Sequence, residues 1–197
     1  MLAARLSRFA LAPPKTSSGQ DDESLARHAG QDPDAFATLY NRYLDRIYRF
    51  VLVRTGSVQD AQDLTSQTFL AALEHIASYR RQGSFGGWLF GIARHKVADY
   101  YRRRRGDVPL DAAGELVDPD PSPEQIADQH LQISRVSRVL ASLDPQQAEA
   151  IALRIFGQLS AAEAGQVMNK SADAVRMLVH RALRNLRERL DMSQEAM

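Results

Sequence analysis

The sequence predicts an all-α protein with two small helical domains joined by an acidic linker that contains prolines. Apolar residues recur at helical spacing on both sides of residues 106–124, and no segment alternates with a period of two for long enough to form a strand. The linker carries four prolines, which interrupt helices and sheets alike. We therefore expect a flexible extension over 1–20, a first domain over 21–105, the linker over 106–124, a second domain over 125–190 and a tail over 191–197.

Four helices are predicted in the first domain. A short one covers about 23–28, and a long amphipathic one begins near residue 36 and ends at the sequence "TGS". The next has its apolar positions over 61–76, with Leu73 among those expected to be buried. The last spans 85–105 and ends in four consecutive arginines.

Helix-capping residues divide the second domain. A first helix is expected over about 131–143. Asp144 is placed to cap the next helix, and Pro145 to occupy its first position, where no amide proton is needed. Gly157 ends that helix. The second domain is therefore predicted to begin with two short amphipathic helices, one before Asp144 and one between Pro145 and Gly157.

The end of the second domain has the pattern of a helix-turn-helix. Ser160 followed by Glu163 is the spacing of a capping box and opens a short helix. Asn169 can take the left-handed conformation that a tight turn requires, and Ser171 caps a longer helix. Gly165 lets the two helices cross closely. The expected buried stripe of the longer helix is Ala174, Val175, Leu178, Ala182, Leu183, Leu186 and Leu190.

Charge changes sharply between the first domain and the linker, although the formal net charge is only +1. Residues 84–105 hold six Lys or Arg and one acid, whereas 107–128 hold seven acids and no Lys or Arg. The four arginines at the end of the 85–105 helix exceed what is needed to balance the helix dipole. The last helix of the chain also has an arginine-rich face. Fully extended, the linker reaches about 60 Å at ~3.3 Å per residue. This pattern predicts binding at two places on one long polyanion, and the plainer alternative is a solvated basic helix in an all-α bundle.

Composition argues against several classes of function. The absence of cysteine excludes disulfides, thiolate metal sites and cysteine nucleophiles. The five histidines lack the spacing of a metal site, and no nucleophile–base pair, carboxylate pair or glycine-rich phosphate loop stands out. No apolar run approaches the ~18–20 residues of a membrane span, and Arg8 interrupts the apolar start. We therefore expect a cytoplasmic protein that is not an enzyme, uses no metal or cofactor and does not insert into membranes.

Four blocks of the sequence match one family of proteins. They are "DPDAFATLYNRYLDRIYRFV" at 32–51, "DAQDLTSQTFLAAL" at 60–73, "SFGGWLFGIARHKVADYYRRRR" at 84–105 and "LDPQQAEAIALRIFGQLSAAEAGQVMNKSADAVRMLVHRALRNLRERL" at 143–190. Over about residues 21–190 the chain resembles a bacterial extracytoplasmic-function (group 4) sigma factor of the sigma-70 family.

The resemblance implies a subunit that joins core RNA polymerase and directs it to promoters. The first domain then corresponds to sigma region two, which opens and reads the minus-ten element. The second corresponds to region four, which reads the minus-thirty-five element. The linker would thread the polymerase near its RNA exit path, where its acids mimic nucleic acid inside a basic channel.

The resemblance also implies roles for individual residues. Expected contacts with the clamp helices of the largest core subunits are Asp60, Asp63, Thr65, Ser66 and Gln67, which are predicted to lie off the buried stripe of their helix. Expected contacts with the minus-ten element are Arg94, His95, Lys96, Tyr100, Arg102, Arg103 and Arg104. Expected base-facing residues at the minus-thirty-five element are Ser171, Ala172, Arg176, Met177 and His180, with phosphate contacts from Arg154, Lys170, Arg181 and Arg184.

Three positions of the minus-ten helix depart from the usual family pattern. His95 stands where many relatives have Asn, and Gly86 and Gly87 replace more polar residues. Trp88 lies on the apolar stripe, so core packing is a better interpretation than a wedge into melting DNA.

Two other functions stay open at this stage. One is a two-domain helix-turn-helix transcription regulator that does not dock on polymerase, which would leave the match of the docking helix unexplained. The other is a sigma-like decoy that binds an anti-sigma factor, although such decoys usually carry a receiver domain and nothing here resembles one. The expected partners are core RNA polymerase, promoter DNA and an anti-sigma factor.

Overall fold

A computed structural model describes residues 19–79, 83–106 and 133–195. These residues form eight α-helices and no strand, which confirms the all-α prediction for the described part of the chain. The helices are α1 (Gly19–His28), α2 (Pro33–Thr55), α3 (Val58–His75), α4 (Phe85–Gly106), α5 (133–141), α6 (Pro145–Ile151), α7 (Ala161–Met168) and α8 (Ala172–Glu195). A 3₁₀ turn, Ile76–Ser78, follows α3, and a π-helical turn, Ala152–Phe156, continues α6. The expected extension up to residue 18 and the expected linker from residue 107 lie outside the described residues.

Helices α1 to α4, called the first module, pack around one apolar core. Asp32 caps α2 by accepting hydrogen bonds from the amides of Asp34 and Ala35, at 2.9 and 3.3 Å. Gly56 ends α2 with φ 71°, a left-handed conformation that favours glycine. The largest buried side chains of this core are Leu39, Ile47, Phe50, Phe85, Leu89 and Phe90. Burial of each contributes ~1.5–3 kcal/mol, which holds α4 in a fixed position against α2 and α3.

Two carboxylates of α1 fasten it to its neighbours, Asp22 to α2 and Glu23 to the start of α4. Asp22 is 4% exposed, and it accepts a hydrogen bond from the Tyr43 hydroxyl at 2.7 Å and pairs with Arg42 at 2.5 Å. Glu23 accepts a hydrogen bond from the Phe85 amide at 2.6 Å. The first residue of α4 is therefore capped by a side chain from α1.

Helices α5 to α8, called the second module, begin and end close to the predicted residues. Asp144 caps α6, with Pro145 at its first position. Ser160 and Glu163 form a capping box: the Glu163 amide donates to the Ser160 hydroxyl at 3.1 Å, and the Ser160 amide donates to the Glu163 carboxylate at 2.8 Å. Asn169 ends α7 with φ 54°. The predicted helix-turn-helix is therefore confirmed as α7, a short turn and α8.

The two modules pack directly against each other. Arg46 of α2 donates hydrogen bonds to the carbonyls of Gly157 and Gln158, at 3.0 and 3.2 Å. A Cβ atom added at Gly157 would lie 2.6 Å from the ring of Phe90, so the backbone of the second module touches the core of the first. Helix α7 lies against the start of α4. Binding at two distant places on DNA would require the modules to separate from this arrangement.

The expected burial of Leu73 and Leu183 is wrong, and one boundary moves. Leu73 is 49% exposed and Leu183 is 43% exposed. Each lies at the edge of its apolar stripe, where the 3.6-residue period turns it toward solvent. Helix α8 continues to Glu195, into the segment expected as a tail. Core packing of Trp88 is confirmed, since its ring lies 5.6 Å from that of Phe85.

Candidate nucleic-acid interface

The outward face of α3 carries most of the expected docking residues. Exposed side chains on this face include Asp63, Ser66, Gln67, Leu70 and Leu73. Thr65 is only 4% exposed, so the expectation that it lies off the buried stripe is wrong. At ~100° per residue, Thr65 points about 200° away from Asp63 and therefore faces the core.

Two leucines on this face were missed as functional candidates. Leu70 is 58% exposed and Leu73 is 49% exposed. Residues three apart are neighbours on a helix, so the two side chains form one exposed apolar patch. One feature of the sequence could have indicated this patch: Leu70 is an apolar residue that lies outside the apolar stripe of its helix. Patches of this kind, bordered by polar residues, are typical of protein-binding surfaces.

Asp60, at the start of α3, contacts α4. Its carboxylate accepts a hydrogen bond from the Tyr100 hydroxyl at 2.8 Å and lies 3.8 Å from the Arg104 guanidinium. Arg104 also donates to the Tyr100 hydroxyl and lies 5.4 Å from the centre of its ring. Burial raises the pKa of Tyr100 above its ordinary value of 10.0, which keeps the donating proton in place. Asp60 therefore ties α3 to the basic end of α4.

The last turns of α4 form a basic surface. Arg102, Arg103 and Arg104 are exposed. Arg102 pairs with Asp99 at i,i+3, and an exposed pair of this type is worth only ~0.2–1 kcal/mol, so a phosphate can replace the carboxylate. The guanidinium groups also lie at the negative end of the helix dipole, which favours positive charge there. The predicted basic end of the helix is therefore present and accessible.

Midway along α4 the expected contacts differ in accessibility. His95 is exposed, with its Nδ1 atom 2.9 Å from the Gly91 carbonyl oxygen. Lys96 is half-buried. Arg94 forms an ion pair with Glu149 of α6, and the two residues line a cleft of about 240 Å³ between the modules. Arg94 is therefore occupied by the second module in this arrangement.

The outward face of α8 is basic. Its exposed side chains include Arg176, Met177, His180, Arg181, Arg184 and Arg187. Arg176 pairs with Asp173, and Arg184 lies 3.8 Å from Glu188. Such helix-surface pairs contribute ~0.2–0.5 kcal/mol, so DNA can displace the carboxylates. Met177 is 51% exposed and offers an apolar surface that suits the methyl group of thymine.

The start of α8 is held by the turn that precedes it. The Ser171 hydroxyl accepts a hydrogen bond from the Ala174 amide at 3.1 Å, which confirms the predicted cap. A Cβ atom added at Gly165 would lie 2.5 Å from the Lys170 carbonyl oxygen, so the turn requires a glycine there. Lys170 and Ala172 are half-buried at this end of the helix.

Arg154 makes a contact within the second module. It was expected to contact phosphates, but it is half-buried and its guanidinium donates to the Leu159 carbonyl. The side chain therefore closes the loop between α6 and α7 from within the module. The spacing of apolar residues could not predict this contact, because the acceptor is a backbone carbonyl.

The described residues contain neither a metal-binding cluster nor a membrane-spanning helix. No group of three or more His, Asp or Glu in this part of the chain could hold a metal ion. None of its helices is long and apolar enough to cross a bilayer.

Two family profiles match the chain in the order of the modules. Sigma-70 region 2 matches residues 39–106, which contain α3 and α4. Sigma-70, region 4 matches residues 139–188, which contain α7, the turn and the first 17 residues of α8.

Curated relatives and a solved structure agree with these matches. The ECF RNA polymerase sigma factor BldN of Streptomyces coelicolor is 38% identical over 168 residues, which cover 83% of this chain and 63% of BldN. The chain thus spans less than two thirds of the length of BldN. The ECF RNA polymerase sigma factor SigD of Mycobacterium tuberculosis is 30% identical over 188 residues, 91% of this chain and 89% of SigD. The structure of CnrH in complex with the cytosolic domain of CnrY aligns with a TM-score of 0.68 and 27% identity, over 87% of this chain and 98% of CnrH. The chain therefore belongs to the extracytoplasmic-function sigma factors of the sigma-70 family, which act in the initiation of transcription by RNA polymerase.

Proposed function

We propose that this sigma factor binds core RNA polymerase through α3, reads the minus-ten element with α4 and reads the minus-thirty-five element with α8. One observation carries the proposal: exposed polar and leucine side chains, a basic helix end and an arginine-rich helix lie, in this order, within the segments that match regions 2 and 4. The chain itself catalyses no reaction in this proposal, since the polymerase supplies the chemistry.

The proposed docking surface for core polymerase is the outward face of α3. Its residues are Asp63, Ser66, Gln67, Leu70 and Leu73. An apolar centre with polar residues around it is typical of protein interfaces. Each leucine is about half exposed, so covering it contributes ~1 kcal/mol. Asp60 acts on docking only indirectly in this proposal, because its carboxylate is bound to α4.

The proposed minus-ten surface is the exposed side of α4. Arg102, Arg103 and Arg104 contact phosphates, while His95 and Lys96 lie closer to the bases. An exposed imidazole can stack on an unpaired base or hydrogen-bond its edge. Tyr100 is assigned a positioning role, because its hydroxyl is engaged by Asp60. Arg94 joins this surface once it is released from the second module.

The proposed minus-thirty-five surface is the start and outward face of α8. The first residues of a recognition helix reach base edges in the major groove. Base contacts are therefore assigned to Ser171, Ala172, Arg176, Met177 and His180. Phosphate contacts, which fix register without reading sequence, are assigned to Lys170, Arg181 and Arg184.

An anti-sigma factor is the proposed regulatory partner, and the cytoplasm is the proposed location. The relative CnrH was solved in complex with the cytosolic domain of CnrY. Core polymerase and promoter DNA are cytoplasmic in bacteria, and a protein that acts on them must meet them there. A partner that covers the exposed leucines of α3 would compete directly with core polymerase.

A binding experiment with a matched control tests the docking surface. Leu70→Ser removes an exposed leucine from α3, and Leu183→Ser removes a comparably exposed leucine from α8. We expect Leu70→Ser to weaken binding to purified core polymerase by about fivefold to tenfold, which corresponds to ~1–1.4 kcal/mol. Leu183→Ser should leave core affinity unchanged. Equal losses in both variants would show that the docking surface is assigned wrongly, and failure of the parent chain to bind core polymerase would refute the proposed function.

A further inference from the structure

The exposed apolar patch on α3 is flanked by acidic side chains. At ~100° per residue, Asp63 and Glu74 lie within about 40° of Leu70 around the helix axis, one before it and one after it. Both carboxylates are exposed, and neither forms an ion pair with a Lys or Arg among the described residues. Residues 55–79, which contain the whole of α3, hold three acids and no Lys or Arg. The outward face of α3 therefore suits a partner that combines apolar and positively charged side chains.

The patch continues from α3 onto α2. Tyr40 of α2 is 36% exposed, and its ring centre lies 4.6 Å from that of Phe69. Phe69 precedes Leu70 in the chain and lies one turn before Leu73. Large apolar side chains that are exposed side by side are typical of surfaces that a partner covers.

The residues before α1 have the complementary pattern in their sequence. Leu2, Leu6 and Phe9 have the i, i+4, i+7 spacing of an apolar helix face and would lie within about 60° of one another. Residues 1–20 hold three Lys or Arg and no Asp or Glu. Two prolines, at positions 13 and 14, end the apolar pattern. Residues 1–12 are called the N-terminal segment.

The N-terminal segment is tethered within reach of α3. Residues 13–18 join it to α1, and six extended residues span about 20 Å at ~3.3 Å each. A domain of about 90 residues has a radius of gyration of only ~12 Å. Helix α1 also lies beside the end of α3, since a Cβ atom added at Gly30 would lie 3.5 Å from the Ala77 Cα atom.

Tethering makes a weak affinity sufficient. A short flexible tether gives an effective concentration on the order of 1 mM. At that concentration, a dissociation constant of about 0.2 mM keeps a segment docked in roughly five molecules out of six.

We propose that the N-terminal segment binds the outward face of α3 and competes with core RNA polymerase for it. Its apolar stripe covers Leu70 and Leu73, and its arginines lie near the carboxylates of Asp63 and Glu74. This inference rests on the proposed function, which assigns the same face to core polymerase. The chain thereby carries an inhibitor of its own docking, and core polymerase displaces that inhibitor when it binds.

Two serine variants separate the apolar stripe from its surroundings. Leu6→Ser combined with Phe9→Ser removes two residues of the stripe. Leu11→Ser removes an apolar residue that would lie on the opposite side of the helix, about 180° from Leu2, and is the matched control. Neither variant changes a residue of the two modules, so both modules are expected to fold as in the parent chain.

The first measurement needs no polymerase. Gln67→Cys introduces a thiol beside Leu70, and the natural chain has no cysteine, so this thiol is unique. We expect the thiol to react with 5,5′-dithiobis(2-nitrobenzoic acid) about sixfold more slowly in the otherwise unchanged chain than with the double serine substitution, because only the undocked fraction reacts. Leu11→Ser should keep the protection. High salt should reduce it, because salt screens the opposite charges.

The second measurement is the affinity for purified core polymerase, in chains without the added cysteine. We expect the double serine variant to bind about sixfold more tightly than the parent, because every molecule is then competent to bind. This gain should match the protection factor of the thiol. Leu11→Ser should bind like the parent.

Several results would overturn the inference. One is equal thiol reactivity in the parent and the double serine variant; binding of the N-terminal segment to phosphatidylglycerol vesicles would then assign it to an anionic lipid surface. Another is protection that rises with protein concentration, which would assign the face to a second copy of the chain. Weaker core binding by the double serine variant would make the segment part of the docking surface.

The inference and the proposed function fail in different ways. Protection of the thiol without a gain in core affinity would overturn the competition. If Leu70→Ser then also left core affinity unchanged, the docking surface would be assigned wrongly too. A loss of affinity in Leu70→Ser would leave the proposed function standing without its inhibitor.

Discussion

Replacing Tyr100 with Phe tests whether Asp60 holds α4 against α3. The change removes only the hydroxyl that donates to Asp60 at 2.8 Å and leaves the ring contact with Tyr101, 5.3 Å between centres. A hydrogen bond to a charged acceptor contributes ~1.5–3 kcal/mol when buried. The Asp60 side chain is 34% exposed, so solvent screens the bond, and we expect a loss of ~1 kcal/mol in the free energy of unfolding.

A double-mutant cycle separates this bond from other effects of the substitutions. The free energy of unfolding in urea is measured for the parent, Tyr100→Phe, Asp60→Ala and the double variant. Fluorescence of Trp88, the single tryptophan of the chain, reports on the first module. We expect a coupling energy of ~1 kcal/mol between the two positions. Single losses that add to within ~0.3 kcal/mol would refute the reasoning, because independent sites behave in that way.

The same variant separates positioning from polymerase contact. If Asp60 acts by holding the end of α4, Tyr100→Phe should lower transcription from a promoter while the affinity for core polymerase stays the same. A parallel loss of core affinity would instead place Asp60 and Tyr100 in the docking surface.

Three further predictions follow from burial and charge. The pKa of Tyr43 is raised above its ordinary value of 10.0, first by burial and then by Asp22, so the folded chain keeps this proton after the unfolded chain has lost it. The free energy of unfolding should therefore fall as the pH rises above about 10, by up to ~1.4 kcal/mol per pH unit. In urea unfolding, Tyr43→Phe should show a shallower fall with pH than the parent chain. Parallel plots of unfolding free energy against pH for the two proteins would contradict this. Arg176→Ala should change the preferred minus-thirty-five bases and cost ~1–3 kcal/mol of binding free energy. Arg184→Ala should weaken binding to all sequences and lower the slope of log affinity against log salt concentration by about one. Equal effects of both variants on every duplex would refute this division into a base contact and a phosphate contact. Replacing four linker acids with amides should preserve promoter preference, weaken core association and alter abortive transcript release; unchanged behaviour at all salt concentrations would make those acids a solubility feature. These acids are Asp111, Glu115, Asp118 and Asp120.

Local features of the fold could be predicted because each depends on a few neighbouring residues. The cap at Asp144, the capping box of Ser160 with Glu163, and the left-handed turn at Asn169 all appear where the sequence placed them. The side chains of Asp144, Ser160 and Glu163 bond to backbone groups within three residues, and the Asn169 amide donates to the Gln166 carbonyl, so each geometry is set locally. The helix-turn-helix could therefore be located from sequence with little error.

Features at the edge of a helical stripe could not be predicted in the same way. Thr65 and Leu73 were assigned to the wrong sides of α3, because periodicity gives the direction of the buried face but not its width. The width depends on which other helices pack there. Leu73, which we assign to the proposed docking surface, was consequently counted as core.

The contact between the modules was beyond sequence reasoning altogether. Arg46 binds backbone carbonyls more than a hundred residues away, and nothing in the local pattern marks those acceptors. Gly86 and Gly87 were noticed only as departures from the family pattern. Their role became visible when the structure placed Gln166 and Glu163 beside them.

The most direct test of sigma activity is transcription by purified bacterial core RNA polymerase, with and without this chain, on genomic DNA fragments whose transcript starts are sequenced. If the chain acts as a sigma factor, a discrete set of starts appears only when the chain is present, and these starts share two upstream elements, one for each module. Starts identical to those of core polymerase alone, from a chain that still binds DNA, would refute sigma activity and favour a helix-turn-helix regulator.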